Sequence, residues 1–512
     1  MSTSTQNLQR PTKPLALKPQ TQAKASVSAA PTATVTAVGI PVLKGGEVPK
    51  ALALSRERLG AAGFTAEPGS TLTIPRADGP TSIAVGLGAA EGLDAARIRE
   101  AAAAFAQAAS AQTRLAFSLE GVEKVSAEAA AQAVIEGILL SRYEYAGFGR
   151  EPKGKAVEEV VVVVDSRHHA AVRSGLERGQ AYARATILAR DLANTPHSHL
   201  TATQMGELAM KLGAELGFEV EIFDEAALQK LSCGGLLGVN AGSAEPPCMI
   251  KLTYRPQGTS TGSLALVGKG IMYDSGGIGL KPNDNIHARM KNDMSGAAAV
   301  LAAIAELPEL GCPTTVTGYL MCTDNMPSAT AQALGDVITT HGGKTVEVTN
   351  TDAEGRLVMC DALALAAEEK HDAIVDIATL TGSVMRALGT EMAGLFGNDD
   401  ALMSQVKHAA EATGEAVWQL PLHRPYRSVL DSDVASMRNA GPTGGVQPDG
   451  IVAALYLSEF VGDVPWAHVD ICGTAWNDKD QSWRRAGCSG FGARLLAELA
   501  MSFRPSTPRA RH

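Results

Sequence analysis

The chain contains no run of about 18 consecutive apolar residues, so no segment of it reads as a membrane-spanning helix. It also lacks an excess of basic charge: 45 Lys and Arg stand against 54 Asp and Glu, a net charge of −9. That balance favours solubility and gives no reason to expect nucleic acid or an anionic membrane as the partner. Paired cysteine motifs are missing too. The seven cysteines (Cys233, Cys248, Cys312, Cys322, Cys360, Cys472 and Cys488) are odd in number, scattered and without CxxC spacing. They read as buried free thiols of a protein in a reducing, cytoplasmic compartment. The first 33 residues hold no acid and are rich in Ser, Thr, Pro, Ala and Gln. Their basic character is loosely that of a transit peptide, but no amphipathic helix and no apolar signal core stands out. Segment 1–33 is therefore expected to be a disordered tail, and 504–512 a frayed one.

What is present is a globular composition, 45% hydrophobic over 512 residues, enough for two domains with sizeable cores. From about Thr34 the patterns alternate. TVTAVGIPVL, TSIAVGLG, RLAFSLE and VEEVVVVVD read as strands, with a helix from Asp94 to Ser110 capped by Asp94. The GLG at Gly86 to Gly88 is too poor a match for a nucleotide loop. A long helical pattern, His168 to Leu192, follows. LALVG, TTVTGYL, KTVEVT, DAIVDIATL and AHVDICG then read as buried strands between helices, which predicts an α/β fold with a largely parallel sheet.

Chemistry concentrates in two segments. In VEVTNTDAEGRLVMCDA, Asp352, Glu354 and Arg356 recur at every second position after an apolar strand pattern. Such alternation would point them to one face of an extended chain. Three charges beside a buried strand are costly unless something binds them. In LALVGKGIMYDSGGIGLKP, the strand is expected to end near Val267, leaving Lys269, Asp274 and Lys281 in a Gly-rich loop. Asp293 opens the Ala-rich pattern NDMSGAAAVLAAIAEL. All these charges fall just past strand ends or at a helix start, where open α/β sheets bind ligands. Singly they have plainer readings: Asp293 as a helix cap, Lys269 as a surface lysine, Asp352 and Glu354 as caps paired with Arg356. Together, Asp274, Asp293, Asp352 and Glu354 suggest a divalent metal cluster. Oxygen ligands without His or Cys suit Mn²⁺, Mg²⁺ or Zn²⁺. Two dications would offset the repulsion of four acids and activate a water.

NTDAEGRL is the signature of the leucyl aminopeptidase (cytosol aminopeptidase) family, and the chain resembles that family from about Leu192 to Leu496. GLLGVNAGSAEPP, VGKGIMYDSGGIGLKP, MKNDMSGAA, DNMPS, DIATLTG, WAHVDICG and GFGARLL follow in the family's order. The resemblance implies a smaller, macro-domain-like N-terminal α/β domain (34–167), a linker helix (168–194) and an α/β/α catalytic domain (195–503). It implies two metal ions, Mn²⁺ or Zn²⁺. Lys269, Asp274, Asp293 and Glu354 would hold the tighter one, and Asp274, Asp352 and Glu354 the more exchangeable one, with a backbone oxygen of Asp352. Asp274 and Glu354 would bridge, and Lys269 would ligate as a neutral amine. Lys281 would stabilise the oxyanion, and Arg356 would hold a bicarbonate that accepts the proton of the attacking water. Met290, Thr379, Gly382, Cys472 and Ala475 would line the pocket for an N-terminal Leu or Met, with Asn350 and Leu380 completing the substrate site. A homohexamer, built as a dimer of trimers, is the implied assembly. The chain departs from many members in NTPHSHLTA, in one extra residue between Lys281 and Met290, and in Cys472 and Ala475.

Two other readings are weaker. DSGG at Asp274 to Gly277 superficially matches the nucleophile segment of trypsin-like serine proteases, but that fold is all-β and this chain alternates β and α. Some members of the family bind DNA; the acidic balance offers this no support.

Overall fold

The structure, a computed structural model, describes residues 23–148, 154–442 and 447–506. It divides into two compact units, one of residues 23–187 with 477–489, the other of 188–476 with 490–506.

The first unit is built on a six-stranded sheet of β1 (Lys24–Ser28), β2 (Ala37–Leu43), β3 (Thr71–Ile74), β4 (Thr81–Gly88), β5 (Arg114–Ser118) and β6 (Glu159–Val163). The strand order is β1-β6-β5-β2-β4-β3, parallel except for β3 against β4. Helices Ala95–Ala108 and Ala127–Ser141 bury Ala, Ile, Val and Leu side chains in its core. Asp94 caps the first of them by accepting from Arg97 N. The expected disordered tail is corrected here: Lys24–Ser28 forms a strand, pairing Lys24 with Glu159 through Ser28 with Val163. KASVS is polar enough to read as tail, but Ala25 and Val27 pack on the core and the exposed edge of β6 supplies backbone partners. The tail expected at 504–512 falls mostly outside the described residues. Asn477–Ser489 also belongs to this unit, a division that a single cut along the chain did not anticipate.

The second unit holds an eight-stranded sheet. Its strands are β7 (Glu219–Phe223), β8 (Cys248–Tyr254), β9 (Ser263–Asp274), β10 (Thr315–Asn325), β13 (Ala373–Ala378), β14 (Ala393–Gly397), β15 (Val417–Gln419) and β17 (Trp466–Asp470). A separate three-stranded sheet is made of β11 (Val337–Thr339), β12 (Thr345–Glu347) and β16 (Met437–Arg438). KTVEVT therefore lies in the small sheet and not in the large one. The large sheet runs β15-β14-β17-β13-β9-β10-β8-β7, and its middle four strands are parallel. The chain passes from β9 to β10 through helix Ser295–Leu310, then crosses over β9 to β13 by way of helix Glu354–Glu368. Strand order thus reverses at β9, and a crevice opens outside the carboxyl ends there. Val267, Ile374 and Trp466 of the strands share one core with Leu357 and Leu455 of the helices.

Candidate metal centre

β9 is longer than its apolar pattern suggests. It continues to Asp274, so Lys269 and Asp274 stand within the strand and not in the loop after it. Five residues apart, they would face opposite sides of a regular strand. Between Ile271 and Asp274, however, β9 carries one residue more than β10 does between Thr323 and Asn325. This bulge resets the alternation and brings both side chains to the same site. The segment after Asp274 then turns sharply. Gly276 has φ +89°, and a Cβ there would lie 2.9 Å from Asp352 Oδ1. Ser275, the serine of DSGG, spends its hydroxyl on the turn: it donates to Asn325 O at 2.7 Å and accepts from Gly277 N at 3.3 Å.

NTDAEGRL is a turn running into a helix, not an extended strand. Helix Glu354–Glu368 begins at Glu354, so Glu354 and Arg356 sit in its first turn and Asp352 in the turn before it. Gly355 leaves room for Lys269: a Cβ there would lie 2.7 Å from Lys269 Cε. Asp293 comes from a 3₁₀ segment, His287–Met294, that leads into helix Ser295–Leu310.

These four segments converge. Asp274, Asp352 and Glu354 each offer a carboxylate oxygen, and the three lie within 4.8 Å of one another. Lys269 Nζ sits 2.9 Å from Asp293 Oδ1, 2.8 Å from Glu354 Oε1 and 2.8 Å from the carbonyl of Thr379. Lys281 Nζ lies 2.7 Å from Asp274 Oδ2 and 2.5 Å from Asp352 Oδ1. Four carboxylates therefore meet two ammonium groups, and Lys269, Asp274, Asp293 and Glu354 are all buried. Burial pushes the Glu354 carboxyl up to about 8, with Asp274 adding to it. It raises Asp293 to about 6 against the pull of Lys269. Asp352 is also raised, by burial and then by Asp274. For both lysines, burial favours the neutral amine, but the surrounding carboxylates outweigh it and hold the ammonium form.

The residues fit a metal. Glu354 Oε2 is buried with no hydrogen-bonded partner, which an acceptor-only atom tolerates poorly unless a cation meets it. The cluster is two negative charges in excess of its contacting ammonium groups, and its donors are hard oxygens plus an amine.

Several positioning residues stand outside the charged segments singled out from the sequence. Asn325 donates to Asp274 Oδ1 at 2.8 Å and to Thr351 O at 2.9 Å, tying the two acidic segments together. Thr379 Oγ1 donates to Asp293 Oδ1 at 2.7 Å. Asp470 accepts from Thr381 Oγ1 at 2.6 Å and from Cys472 N at 3.0 Å, pinning the loops after β13 and β17. Asn439, just past β16, accepts from Asn350 N at 3.2 Å, and its carbonyl accepts from Arg356 Nη1 at 2.8 Å. Of these, Asn325, Thr379 and Asp470 lie in DNMPS, DIATLTG and WAHVDICG, so their motifs were visible but these roles were not; Thr379 was expected at the substrate pocket.

An open cavity of about 650 Å³ adjoins the acids. Asn350, Asp352, Arg356, Leu380 and Gly382 line it, as do Ser383, Arg386 and Asp449. Met290, Thr379, Cys472 and Ala475 are not among its lining residues. Thr379 instead holds Asp293 and Lys269. Ala475 is buried, and burial pushes the Cys472 thiol up to about 12.

A largely buried cluster of four carboxylates at the switch point of an α/β sheet is the arrangement of a metal-binding site in a doubly wound fold. The chain belongs to the cytosol aminopeptidase family: the family's catalytic domain matches residues 187–497 and its N-terminal domain residues 53–152. A probable cytosol aminopeptidase of Streptomyces avermitilis is 44% identical over 467 residues, covering 88% of this chain and 89% of that protein. One from Solibacter usitatus is 41% identical over 421 residues, covering 82% and 86%. The solved structure of the bottromycin maturation enzyme BotP in complex with Mn superposes with a TM-score of 0.83 at 38% identity, covering 92% of this chain and 99% of that one. The protein is accordingly a metal-dependent aminopeptidase, a hydrolase. Among the described residues no helix is long and apolar enough to cross a membrane.

Proposed function

We propose that the protein releases N-terminal residues, preferably Leu, Met and other apolar ones, from peptides at a dinuclear metal centre. The observation that carries this reading is the trio Asp274, Asp352 and Glu354, with ligand atoms within 4.8 Å of one another and Glu354 Oε2 left unsatisfied. Lys269, Asp274, Asp293 and Glu354 would hold one cation, and Asp274, Asp352 and Glu354 the other. When bound, two divalent cations supply an acidified water and a Lewis acid for the peptide carbonyl. Lys269 offers a lone pair only as the free amine, so to hold a cation it would have to give up its proton and its ion pairs to Asp293 and Glu354. Lys281, freed from Asp274 and Asp352, donates to the oxygen that gains charge as the carbonyl is attacked. Asp293, buried beside Lys269, accepts a hydrogen bond from the substrate's free α-amine. An internal peptide nitrogen, its lone pair delocalised into the carbonyl, could not also serve as a metal ligand as a free amine would, so cleavage would be confined to the N-terminus.

Arg356 is the fork for a bicarbonate that accepts the water's proton. Its Nε is buried and unpartnered, and the four acids of the cluster would be committed to metal and not available as base. Mn²⁺ and Zn²⁺ both suit the donor set. The family resemblance also supports a cytoplasmic homohexamer acting in peptide turnover. Size-exclusion chromatography with light scattering tests the assembly: about six chains are expected, and a monomer would refute it. The catalytic test is hydrolysis of Leu-p-nitroanilide after chelation. Activity should vanish and return with Mn²⁺ or Zn²⁺; full activity in excess chelator would overturn the reading.

A further inference from the structure

The cavity beside the acid cluster has donors without acceptors. Ser383 Oγ and Arg356 Nε are buried and lack hydrogen-bonded partners among the described residues. Arg386 is exposed and lines the same cavity, and among the described residues no hydrogen bond or ion pair engages it. Ser383 and Arg386 stand three residues apart on helix Gly382–Leu388 and so share a face. Arg386 Nη1 lies 3.6 Å from where a Cβ on Gly382 would be, so the guanidinium folds back over the glycine at the cavity wall.

The acids of the cavity do not account for it. Asp352 Oδ1 is 2.5 Å from Lys281 Nζ. Asp449 acts on the buried Arg356 and forms no ion pair with Arg386 among the described residues. A guanidinium left open in a cavity wall has its natural complement in a carboxylate, which it holds through two parallel hydrogen bonds.

The position of the cavity says which part of a peptide would supply that carboxylate. Of the residues expected around the substrate's N-terminal side chain, only Gly382 lines this cavity; Met290, Thr379, Cys472 and Ala475 do not. The cavity therefore faces the portion of the peptide beyond the scissile bond. We propose that Arg386, with Ser383 beside it, determines specificity by binding a carboxylate on that departing portion. This rests on the metal-centre reading above and adds to it a preference for short or acidic peptides. The carboxylate has two possible sources, the C-terminus of a di- or tripeptide and an Asp or Glu side chain following the first residue.

Two substrate pairs separate them with the metal-loaded enzyme. Leu-Gly-Gly against Leu-Gly-Gly-amide reads the C-terminus; Leu-Asp-Gly-amide against Leu-Asn-Gly-amide reads the side chain. In at least one pair the carboxylate form should have a kcat/KM about five- to tenfold higher, expressed mainly in KM. In Arg386→Gln that ratio should fall to near one, in Arg386→Glu it should invert, and in Arg386→Lys part of it should survive. Because the ratio is taken within each variant, the amount of folded enzyme does not enter it. A wild-type ratio near one in both pairs, or the same ratio in Arg386→Gln, would overturn the proposal. Failure of the wild type to cleave any of the four peptides would overturn the metal-centre reading, and this one with it.

Discussion

In the N-terminal unit Arg99 and Glu136 are buried together, with Arg99 Nε 2.6 Å from Glu136 Oε2 and Gln132 Nε2 2.8 Å from its other oxygen. In the catalytic unit Asp274, Asp293, Asp352 and Glu354 crowd two lysines, and Glu354 Oε2 is left with nothing. Both arrangements bury charge. In the first, both oxygens of the carboxylate are met by donors from the chain, so its worth is structural. The second is incomplete within the chain, so its worth depends on what is added. A buried carboxylate is informative about function when its own neighbours fail to satisfy it.

Mutating each cluster should break the comparison most sharply. Glu354→Ala and Lys281→Ala are expected to lower kcat/KM by about 10³-fold or more, since each removes a group that acts on the reacting atoms. Steady-state kinetics at saturating Mn²⁺ would show this, and wild-type turnover in both would refute the assignment. Glu136→Ala, by contrast, removes the buried carboxylate that Arg99 and Gln132 share and should cost about 3–5 kcal/mol of stability. Urea unfolding measures this; a change below about 1 kcal/mol would mean Arg99 finds another partner.

A smaller effect is expected from the residue that aligns the ligands. Asn325→Ala should weaken metal binding by about 10- to 100-fold while leaving every ligand in place. Competition with a fluorescent chelator would read the change. Smallest per step, though it accumulates over several units, is the effect of pH. Burial raises the Glu354 carboxyl to about 8, so the proton and the metal compete for it through the range from about 4.5 up to that value. Metal affinity should rise with pH across that window, by about tenfold per unit where one proton is displaced. An affinity flat between pH 5 and 8 would mean that metal displaces a proton from neither Glu354 nor Lys269.

The acids of this centre were legible in the sequence because polar residues beside strand ends are conspicuous. Their geometry was not. The every-second-residue spacing of Asp352, Glu354 and Arg356 suggested an extended chain, yet a helix starts at Glu354 and brings them together by turning. Lys269 and Asp274 looked like loop residues, because a bulge in β9 that hides their common face leaves no mark on hydrophobic periodicity. The positioning roles of uncharged groups such as Asn439, which was not singled out, and Thr379, which was expected at the substrate pocket, stayed silent for a simpler reason. Their value lies in hydrogen bonds across 89 and 86 residues of chain, which no local pattern encodes. The strand Lys24–Ser28 was missed because its stability comes from the edge of β6 and not from its own composition.

The direct test of the account is the number of Mn²⁺ ions held at equilibrium dialysis by the wild type and by Asp274→Ala. If residues from β9 and from the NTDAEGRL turn share two cations, the wild type will hold about two ions per chain and the variant will lose both together. A wild type that holds none at millimolar Mn²⁺, or a variant that keeps its full complement, would contradict it.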